Sequence, residues 1–160
     1  MQRGDAFVSC GNERSIRRAE KRDAEVLTML AGLLWPDNDP GDLRGEMESI
    51  LEADDGAIFI CLNGGKPTGF AHCSLRHDYV EGSEKNPTAY LEGIFVMPGH
   101  RGEGAASELL RHCESWAAEM GCAEIASDCE LENLESARFH SCKGFLEVNR
   151  IICFVKKLKA

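Results

Sequence analysis

Apolar residues recur at helical spacing in several parts of this chain. In 23–34 and 42–51, leucine, isoleucine, valine and methionine return every three or four positions, and a longer amphipathic segment covers 105–120. Asp23 stands at the start of the first segment, where its side chain is expected to cap the helix. A shorter helix is predicted from Asn133 to Lys143, just before a glycine. These patterns predict helices spread along the chain.

Strand patterns occupy the intervals between the predicted helices. Two compact apolar runs, 57–62 and 68–76, flank the sequence Asn63-Gly64-Gly65-Lys66, which is typical of a hairpin turn. The run from Tyr90 to Met97 is rich in β-branched and aromatic residues and ends at Pro98, which lacks a backbone donor for a strand ladder. Less distinct strands are predicted at 15–20, 122–127 and 147–157. The expected fold is α/β (α+β), with a mixed, largely antiparallel central sheet flanked by helices.

Length and composition indicate one globular domain. The chain has 160 residues, of which 43% are hydrophobic, so it is long enough to bury a core. Residues 1–14 are expected to form a flexible N-terminal tail, and 15–160 a single domain. The sequence contains no run of 18 apolar residues and no apolar signal core near its start. We therefore expect a cytoplasmic protein without a membrane partner.

The chain is acidic and contains many cysteines. Its net charge of −9 argues against a nucleic-acid partner and is compatible with a cationic one, although an acidic surface also serves solubility alone. The eight cysteines include no CxxC pair and no pair with zinc-finger spacing. Most lie within apolar patterns, so we expect reduced, buried thiols and no metal site.

A glycine-rich turn lies between the Tyr90 strand and the helix that follows it. The turn is Arg101-Gly102-Glu103-Gly104-Ala105-Ala106. Backbone N–H groups at a helix N-terminus have no partner in the helix, and the helix dipole adds partial positive charge, so such a turn can bind a pyrophosphate. A glycine pair is also typical of a tight turn that binds nothing. The sequence has neither the P-loop pattern nor GxGxxG, which excludes two common phosphate motifs.

The same turn carries a resemblance to a known family. Residues 101–106 fit the pattern R/Q-x-x-G-x-G/A, and with the strand before it and the helix after it the chain resembles the GNAT acyltransferases. The resemblance implies a GNAT fold, with acetyl-CoA as cosubstrate and its pyrophosphate bound by this turn. The coenzyme contacts assigned on this basis are Ile94, Phe95, Val96, Arg101, Gly102, Glu103, Gly104, Ala105, Ala106, Asn133 and His140.

A second GNAT pattern lies downstream and contains a departure. Asn133, His140 and Gly144-Phe145 stand where GNAT enzymes commonly have Asn, Tyr and Gly-Phe. In the family the Asn contacts the pantetheine region, and the Tyr often protonates the departing thiolate. A histidine, with a reference pKa near ~6.5, has the chemistry of a proton donor. Alternatively, His140 is a packing or surface residue and water protonates the thiolate.

Longer runs outside the coenzyme pattern resemble a narrower family. They are LLWPD at 33–37, SLRHDYVEG at 74–82, YLEGIFVMPGHR at 90–101, GCAEIASD at 121–128 and HSCKGF at 140–145. These runs are similar to the aminoglycoside 6′-N-acetyltransferases, whose members form homodimers. The resemblance implies an acceptor site bordered by Trp35, Tyr79, Glu92 and Asp128. At Asn149 this chain has an amide where relatives often have an acid, so its acceptor preference is expected to differ.

Carboxylates in this region fit the chemistry of amine acetylation. The acceptor amine must be neutral, close to the thioester and provided with a route for its proton, which a carboxylate can supply directly or through water. Glu92 interrupts an apolar strand and Asp128 ends the next one, so neighbouring strands would bring both into one cleft. The alternative is a solvent-facing Glu92 and an Asp128 that caps a turn or helix. Glu92, Asp128 and His140 are the candidate catalytic residues.

The acidic run and the two aromatic residues each have two interpretations. Carboxylates at positions 128, 130, 132 and 135 would attract a polycation, or they stabilise the N-terminus of the next helix through its dipole. Trp35 and Tyr79 lie in loops or at the ends of elements, where aromatic side chains bind ligands or fill the core.

The predicted function follows from the resemblance together with these residues. We expect acetyl transfer from acetyl-CoA to the 6′-amine of an aminoglycoside by direct attack, without a covalent enzyme intermediate, which confers antibiotic resistance. Two alternatives stay open: an N-acetyltransferase for another amine, such as a polyamine or a protein lysine, and a CoA-binding module without turnover.

Overall fold

The computed structural model describes residues 13–158, in which five strands and four helices occur. The strands are β1 (Arg14–Arg18), β2 (Gly56–Asn63), β3 (Lys66–Arg76), β4 (Thr88–Val96) and β5 (Ile125–Ser127). The helices are α1 (Ala24–Leu34), α2 (Pro40–Glu52), α3 (Ala105–Glu119) and α4 (Leu134–Cys142). Among the helices described here, none has the length and apolar content needed to cross a bilayer. The predicted tail, 1–14, lies outside the described residues except for its last two.

The five strands form one sheet in the order β1-β2-β3-β4-β5. The pairs β1–β2, β2–β3 and β3–β4 are antiparallel, and β4–β5 is parallel. The turn from Asn63 to Lys66 joins β2 to β3 as predicted, because Gly64 and Gly65 take the positive φ that a two-residue hairpin requires. The expected mixed, largely antiparallel sheet is confirmed.

Helices cover both faces of this sheet. On one face, α3 contributes to the core Leu109, Leu110, Cys113, Trp116 and Ala117. On the other face, α1 and α2 contribute Leu27, Leu30, Ala31, Leu43 and Met47. Each helix therefore buries the apolar stripe that its spacing predicts.

A β-bulge interrupts β4. In the register of β3 with β4, His72 lies opposite Gly93. The next pair is Cys73 with Leu91, so Glu92 is an extra residue in β4. The residues of β4 that pack toward α3 change at this point from odd-numbered to even-numbered positions. The bulge thus decides which side chains face each layer on either side of Glu92.

Asp23 does not cap α1 as predicted. Its carboxylate instead accepts two bonds from Arg17, at 2.7 and 2.8 Å, and one from the backbone N–H of Glu20 at 2.8 Å. Asp23 is buried, and a bidentate guanidinium satisfies a buried carboxylate better than a single helix N–H. The second helix is capped by Asp39, which lies before the predicted start at Asp42.

The predicted strand at 147–157 is not formed. Within the described residues this segment has no ladder partner and no regular secondary structure. Its apolar side chains are exposed, including Ile152 at 80%, Phe154 at 91% and Val155 at 97%. Apolar and β-branched residues raise strand propensity, but a strand also needs a neighbouring backbone with free donors and acceptors. The part of the chain that the structure describes pairs no such backbone with it.

Candidate active site

The turn between β4 and α3 presents unpaired backbone donors. Gly102 and Gly104 have φ values of 78° and 86°, in the left-handed region that favours glycine. Helix α3 begins at Ala105, and the Glu108 N–H donates to the Gly104 carbonyl at 3.1 Å. The N–H groups that precede Glu108 in this first turn have no partner within the helix.

Among residues 13–158, no side chain caps the N-terminus of α3, in contrast to α2 and α4. Asp39 accepts bonds from the first turn of α2, and the Asn133 side chain accepts one from the Ser136 N–H of α4 at 3.0 Å. A Cβ added at Gly102 would meet no atom of the described residues within 4 Å. The turn is therefore open and has free donors, so it fits the pyrophosphate of acetyl-CoA.

Two arginines border this turn. Arg101 Nε donates to the Val96 carbonyl at 2.9 Å, which holds its side chain against the end of β4. Arg14 of β1 forms a bidentate pair with Glu108 of α3, at 2.6 and 3.2 Å. A Cβ at Gly104 would lie 3.8 Å from Arg14 Nη2, so this guanidinium also brings positive charge to the turn.

Strands β4 and β5 separate where the bulge begins. Their parallel pairing ends at the Leu91–Ser127 pair. Beyond it, within the described residues, β4 has no strand neighbour on its β5 side. The predicted coenzyme contacts Ile94, Phe95 and Val96 lie in this stretch. The side chains of Phe95 and Val96 are buried, so the backbone is what these two residues can offer to a ligand.

His140 bridges α4 and the end of β5. Its Nδ1 lies 2.7 Å from the Ser136 carbonyl oxygen and therefore donates, while Nε2 lies 2.9 Å from Ser127 Oγ. The ring is edge-on to Phe139 and Phe145, with centroid distances of 5.6 and 5.0 Å. His140 thus has packing contacts with two aromatic rings, and its second nitrogen lies where β4 and β5 separate.

A cavity of about 280 Å³ opens beside the bulge, on the α1–α2 side of the sheet. Its walls include Trp35, Glu46, Asp55, His72, Ser74 and Glu92. Burial lowers the pKa of His72, despite the opposing effect of the Glu92 charge, so the imidazole is neutral at neutral pH. Three carboxylates with no charged histidine among them make the cavity electronegative, which favours a cationic ligand.

Glu92 is held by two residues of β3. Ser74 Oγ donates to Oε1 at 2.6 Å. Arg76 donates to both oxygens, with Nε 3.0 Å from Oε1 and Nη2 2.7 Å from Oε2. Burial raises the pKa of Glu92, but the bonds from Arg76 and Ser74 outweigh burial and leave the pKa below its usual value. Glu92 is therefore an ionised carboxylate, fixed at the wall of the cavity.

Asp128 lies close to the same arginine. The hydroxyl of Tyr90 donates to Asp128 Oδ1, and the Arg76 guanidinium stacks on the Tyr90 ring with Cζ 3.3 Å from the centroid. The hydrogen bonds to Glu92 raise the pKa of Arg76, and the charge of Asp128 adds to this effect, so both carboxylates act on the same guanidinium. Unlike Glu92, Asp128 does not line the cavity. Asp128 is not the N-cap of α4, a position that Asn133 occupies.

The two predicted aromatic site residues have different surroundings. Trp35 packs edge-on against Phe70, at 6.2 Å between centroids, and also lines the cavity. Tyr79 is 81% exposed and does not line that cavity. Its hydroxyl donates to Glu81 at 2.8 Å, and the Asn149 amide donates to the same carboxylate at 3.1 Å. Tyr79 and Asn149 therefore belong to a separate surface cluster.

Several residues of this site were not predicted, namely Arg14, Glu46, Asp55, His72, Ser74, Arg76, Tyr90 and Ser127. A signal was available for three of them. His72, Ser74 and Arg76 alternate with apolar residues, so a period of two places them on one face of β3. Residues such as Arg14 and Glu46 come from other elements, and no local pattern connects them to the site.

A turn with free backbone donors at the end of a bulged strand, together with a cavity lined by carboxylates, is the arrangement expected of an acyltransferase that uses a coenzyme A thioester. The profile of the Acetyltransferase (GNAT) family matches residues 27–145. This chain belongs to the GNAT family of acetyltransferases.

Curated relatives indicate a narrower group within this family. The aminoglycoside N(6′)-acetyltransferase type 1 of Salmonella enteritidis is 39% identical over 142 residues, which cover 89% of this chain and 98% of the relative. The protein of the same name from Serratia marcescens is 40% identical over 126 residues, covering 78% and 86% respectively.

Solved structures agree with the fold. The aminoglycoside N-acetyltransferase AAC(6′)-Iy in complex with CoA has a TM-score of 0.90 and 38% identity, covering 95% of this chain and 100% of that chain. AAC(6′)-Iy in complex with the bisubstrate analogue CoA-S-monomethyl-acetylneamine has a TM-score of 0.88 and 38% identity, covering 91% and 99%. The predicted GNAT fold is confirmed.

Gly104→Asp is expected to weaken acetyl-CoA binding by at least about tenfold, because a carboxylate at the start of α3 occupies phosphate space and repels the phosphates. Calorimetric titration of the folded variant with CoA measures this. Gly121→Asp is the matched control, since Gly121 also has a positive φ, of 82°, and lies past the other end of α3. Unchanged CoA affinity in Gly104→Asp would show that this turn does not bind the pyrophosphate.

Proposed function

We propose that this protein transfers the acetyl group of acetyl-CoA to the 6′-amine of an aminoglycoside and thereby confers resistance. One observation carries the proposal: the anionic cavity of Glu46, Asp55 and Glu92 lies beside the bulge of the strand that leads into the open turn. Aminoglycosides are polycations, so this cavity supplies the charge that attracts and orients them. The names of the curated relatives and the bisubstrate complex of AAC(6′)-Iy support the same acceptor.

The coenzyme is bound mainly by backbone. The N–H groups at the start of α3 bind the pyrophosphate, with Arg14 and Arg101 adding positive charge. The backbone of Ile94 to Val96, which has no β5 partner, directs the pantetheine arm toward the bulge. Acetyl-CoA supplies the activated acetyl group as a thioester.

Glu92 and Asp128 position the acceptor amine. Both are ion partners for ammonium groups, and Trp35 provides an apolar wall of the cavity. The amine attacks the thioester carbon after it loses a proton, which passes to solvent through water held at Glu92. A carboxylate with a lowered pKa is a weak base, so its main contribution is to orient the amine rather than to hold its proton.

The thiolate that leaves takes its proton from water. His140 holds the end of β5 through Ser127 and packs between two aromatic rings, so its part is to shape the coenzyme channel. Asn133 caps α4, which positions His140. Tyr79 lies outside the cavity, in the surface cluster with Glu81 and Asn149, and in this proposal it borders the acceptor from the loop after β3.

We also propose that the protein is a homodimer. Seven large apolar side chains between Leu146 and Leu158 are more than 60% exposed. Burying one such side chain contributes about 1.5–3 kcal/mol, so a second copy that covers this segment would be strongly stabilised. Contacts of the segment with its own chain include Val148 against Gly82 and Asn149 with Glu81. The occupant that fits is the same segment and the adjoining sheet of a second copy.

A cytoplasmic location and a single catalytic domain at 15–160 complete the proposal. The seven cysteines of the described residues are all free thiols, which is typical of a reducing compartment. No group of three or more histidine, cysteine, aspartate or glutamate residues suited to a metal occurs among those residues.

Asp128→Asn is expected to lower kcat/KM for an aminoglycoside by roughly ten- to a hundredfold, because the variant loses one charged hydrogen bond to the substrate. The amide oxygen still accepts from Tyr90, so the variant tests charge and not shape. Steady-state kinetics with kanamycin-type acceptors measures it, with Glu130→Gln as an exposed control two positions away. Wild-type kcat/KM in Asp128→Asn would exclude Asp128, and no turnover of any aminoglycoside by the native protein would exclude the substrate class.

His140→Ala is expected to lower kcat by less than about tenfold, since water can protonate a thiol whose reference pKa is near ~8.5. Loss of a true general acid would cost about a hundredfold or more. The measurement is kcat at saturating acceptor, with circular dichroism to establish folding. A hundredfold loss in folded His140→Ala would make His140 the acid.

The double variant Ile152→Glu/Phe154→Glu is expected to be a monomer by sedimentation equilibrium, at concentrations where the native protein is a dimer. Two charges cannot be buried in an apolar interface without a large cost in free energy. Met29→Glu, on α1 and 53% exposed, is the control and should stay dimeric. A native protein that sediments as a monomer at tens of micromolar would contradict the dimer.

A further inference from the structure

Arg76, the last residue of β3, is a cation within a site otherwise suited to cations. Its guanidinium makes two hydrogen bonds to Glu92, one to each oxygen. With the bond from Ser74, Glu92 accepts three hydrogen bonds, and a carboxylate has about four acceptor positions. One position on Oε2 is left for an incoming ammonium group, so Arg76 fixes Glu92 without saturating it.

The same guanidinium reaches the second carboxylate through an aromatic ring. Arg76 stacks on Tyr90, whose hydroxyl donates to Asp128. Burial is the main cause that raises the pKa of Tyr90, and the Asp128 carboxylate adds to it, so the hydroxyl keeps its proton and remains a donor. Moving Arg76 would therefore release both Glu92 and the ring that orients Asp128.

An arginine here has two conceivable roles. As a competitor, it would occupy the place of the acceptor's ammonium group and be displaced on binding. As a support, it would stay and hold the carboxylates. Glu92 binds the edge of the Arg76 guanidinium at two points, and the Tyr90 ring packs against its face. These contacts restrict movement both within the guanidinium plane and perpendicular to it, so they oppose displacement of Arg76 by an ammonium group.

We propose that Arg76 is a positioning residue, which holds Glu92 directly and Asp128 through Tyr90 so that the two carboxylates bind the ammonium groups of the acceptor. This inference rests on the proposed function. It goes beyond that function because it states that a basic residue, Arg76, holds the acidic residues in place and is not displaced by the acceptor during turnover.

The electrostatic surroundings of Glu92 give this role a distinct signature. Groups that face it are Arg76, Ser74 and His72 of β3, Tyr90 of β4, Glu46 and Asp55 across the cavity, and Asp128 beyond Tyr90. Burial raises the pKa of Glu92, and the hydrogen bonds and charge of Arg76 are the main opposing causes. Without Arg76, burial is opposed mainly by the hydrogen bond from Ser74, so the pKa of Glu92 rises.

The test compares Arg76→Gln and Arg76→Lys with the native protein. On charge alone, removing a cation from a site for polycations raises kcat/KM for the acceptor. If Arg76 positions Glu92, Arg76→Gln instead lowers kcat/KM by about tenfold or more while CoA affinity stays unchanged. Arg44→Gln removes the same charge from an exposed pair with Glu48 on α2 and is the matched control.

A second readout separates positioning from a merely structural role. Carbon-13 NMR of labelled glutamate carboxyls, with Glu92→Gln for assignment, follows the titration of Glu92. The pKa of Glu92 is expected to rise in Arg76→Gln and to rise less in Arg76→Lys, which keeps the charge but loses the bidentate hydrogen bonds. Arg76→Lys should still lose activity, because an ammonium group cannot replace the bidentate fork. Tyr90→Phe removes the hydroxyl that donates to Asp128, so it should weaken aminoglycoside binding without lowering the pKa of Glu92.

Native or higher kcat/KM in Arg76→Gln would overturn the proposal, as would an unmoved Glu92 titration in that variant. If Arg76→Gln does not fold, Arg76→Lys becomes the deciding variant. A kcat/KM equal to that of the native protein in Arg76→Lys would also overturn the proposal. Absence of aminoglycoside turnover by the native protein would instead remove the proposed function, so the two failures are distinguishable.

Discussion

The arrangement of this protein depends on one irregularity in the middle of β4, where the strand gains an extra residue and loses its parallel neighbour. Glu92 has no partner in β3 there, and the pairing with β5 stops at Leu91. Backbone N–H and C=O groups that leave a strand ladder need other hydrogen-bond partners. Leaving them unpaired costs free energy unless a ligand or a side chain bonds to them. Beyond the separation, β4 continues without a β5 partner toward the turn that ends at Gly104. In the proposed function, coenzyme and acceptor meet on this one strand.

The electrostatics of the site follow from that geometry. Placing Glu46, Asp55 and Glu92 around one cavity in a chain of net charge −9 requires compensation, because carboxylates near one another favour protonation. Arg76 supplies it within the site, since it neutralises Glu92 and stacks on the tyrosine that binds Asp128. A cation from the protein thus keeps Glu92 ionised, and in our proposal it also holds the two carboxylates in place for cations from the substrate. The neutral His72 completes a wall that carries no competing positive charge.

Local patterns predicted the helices, the hairpin and the coenzyme turn because each depends on neighbours in sequence. The apolar spacing in α1 to α3, the two glycines after Asn63, and the pair Gly102 and Gly104 all act within a few residues. The same reasoning was wrong for Asp23 and for 147–157, where the outcome depended on distant groups. Arg17 competed for the carboxylate of Asp23, and the C-terminal segment has no strand partner among the described residues.

The sequence by itself predicted the class of fold and the family, since periodicity and motifs are written in consecutive residues, and the family resemblance supplied the four acceptor-site candidates. Only the tertiary structure decided how those candidates are grouped. Trp35 and Glu92 line one cavity, whereas Tyr79 lies on the surface with Asn149. It also showed that Arg76 bonds to Glu92 and stacks on Tyr90, whose hydroxyl donates to Asp128, and that Arg14 of the first strand lies near Gly104. The physical reason is that strand order and the bulge, which no local pattern encodes, set the distances through which charges and hydrogen bonds act.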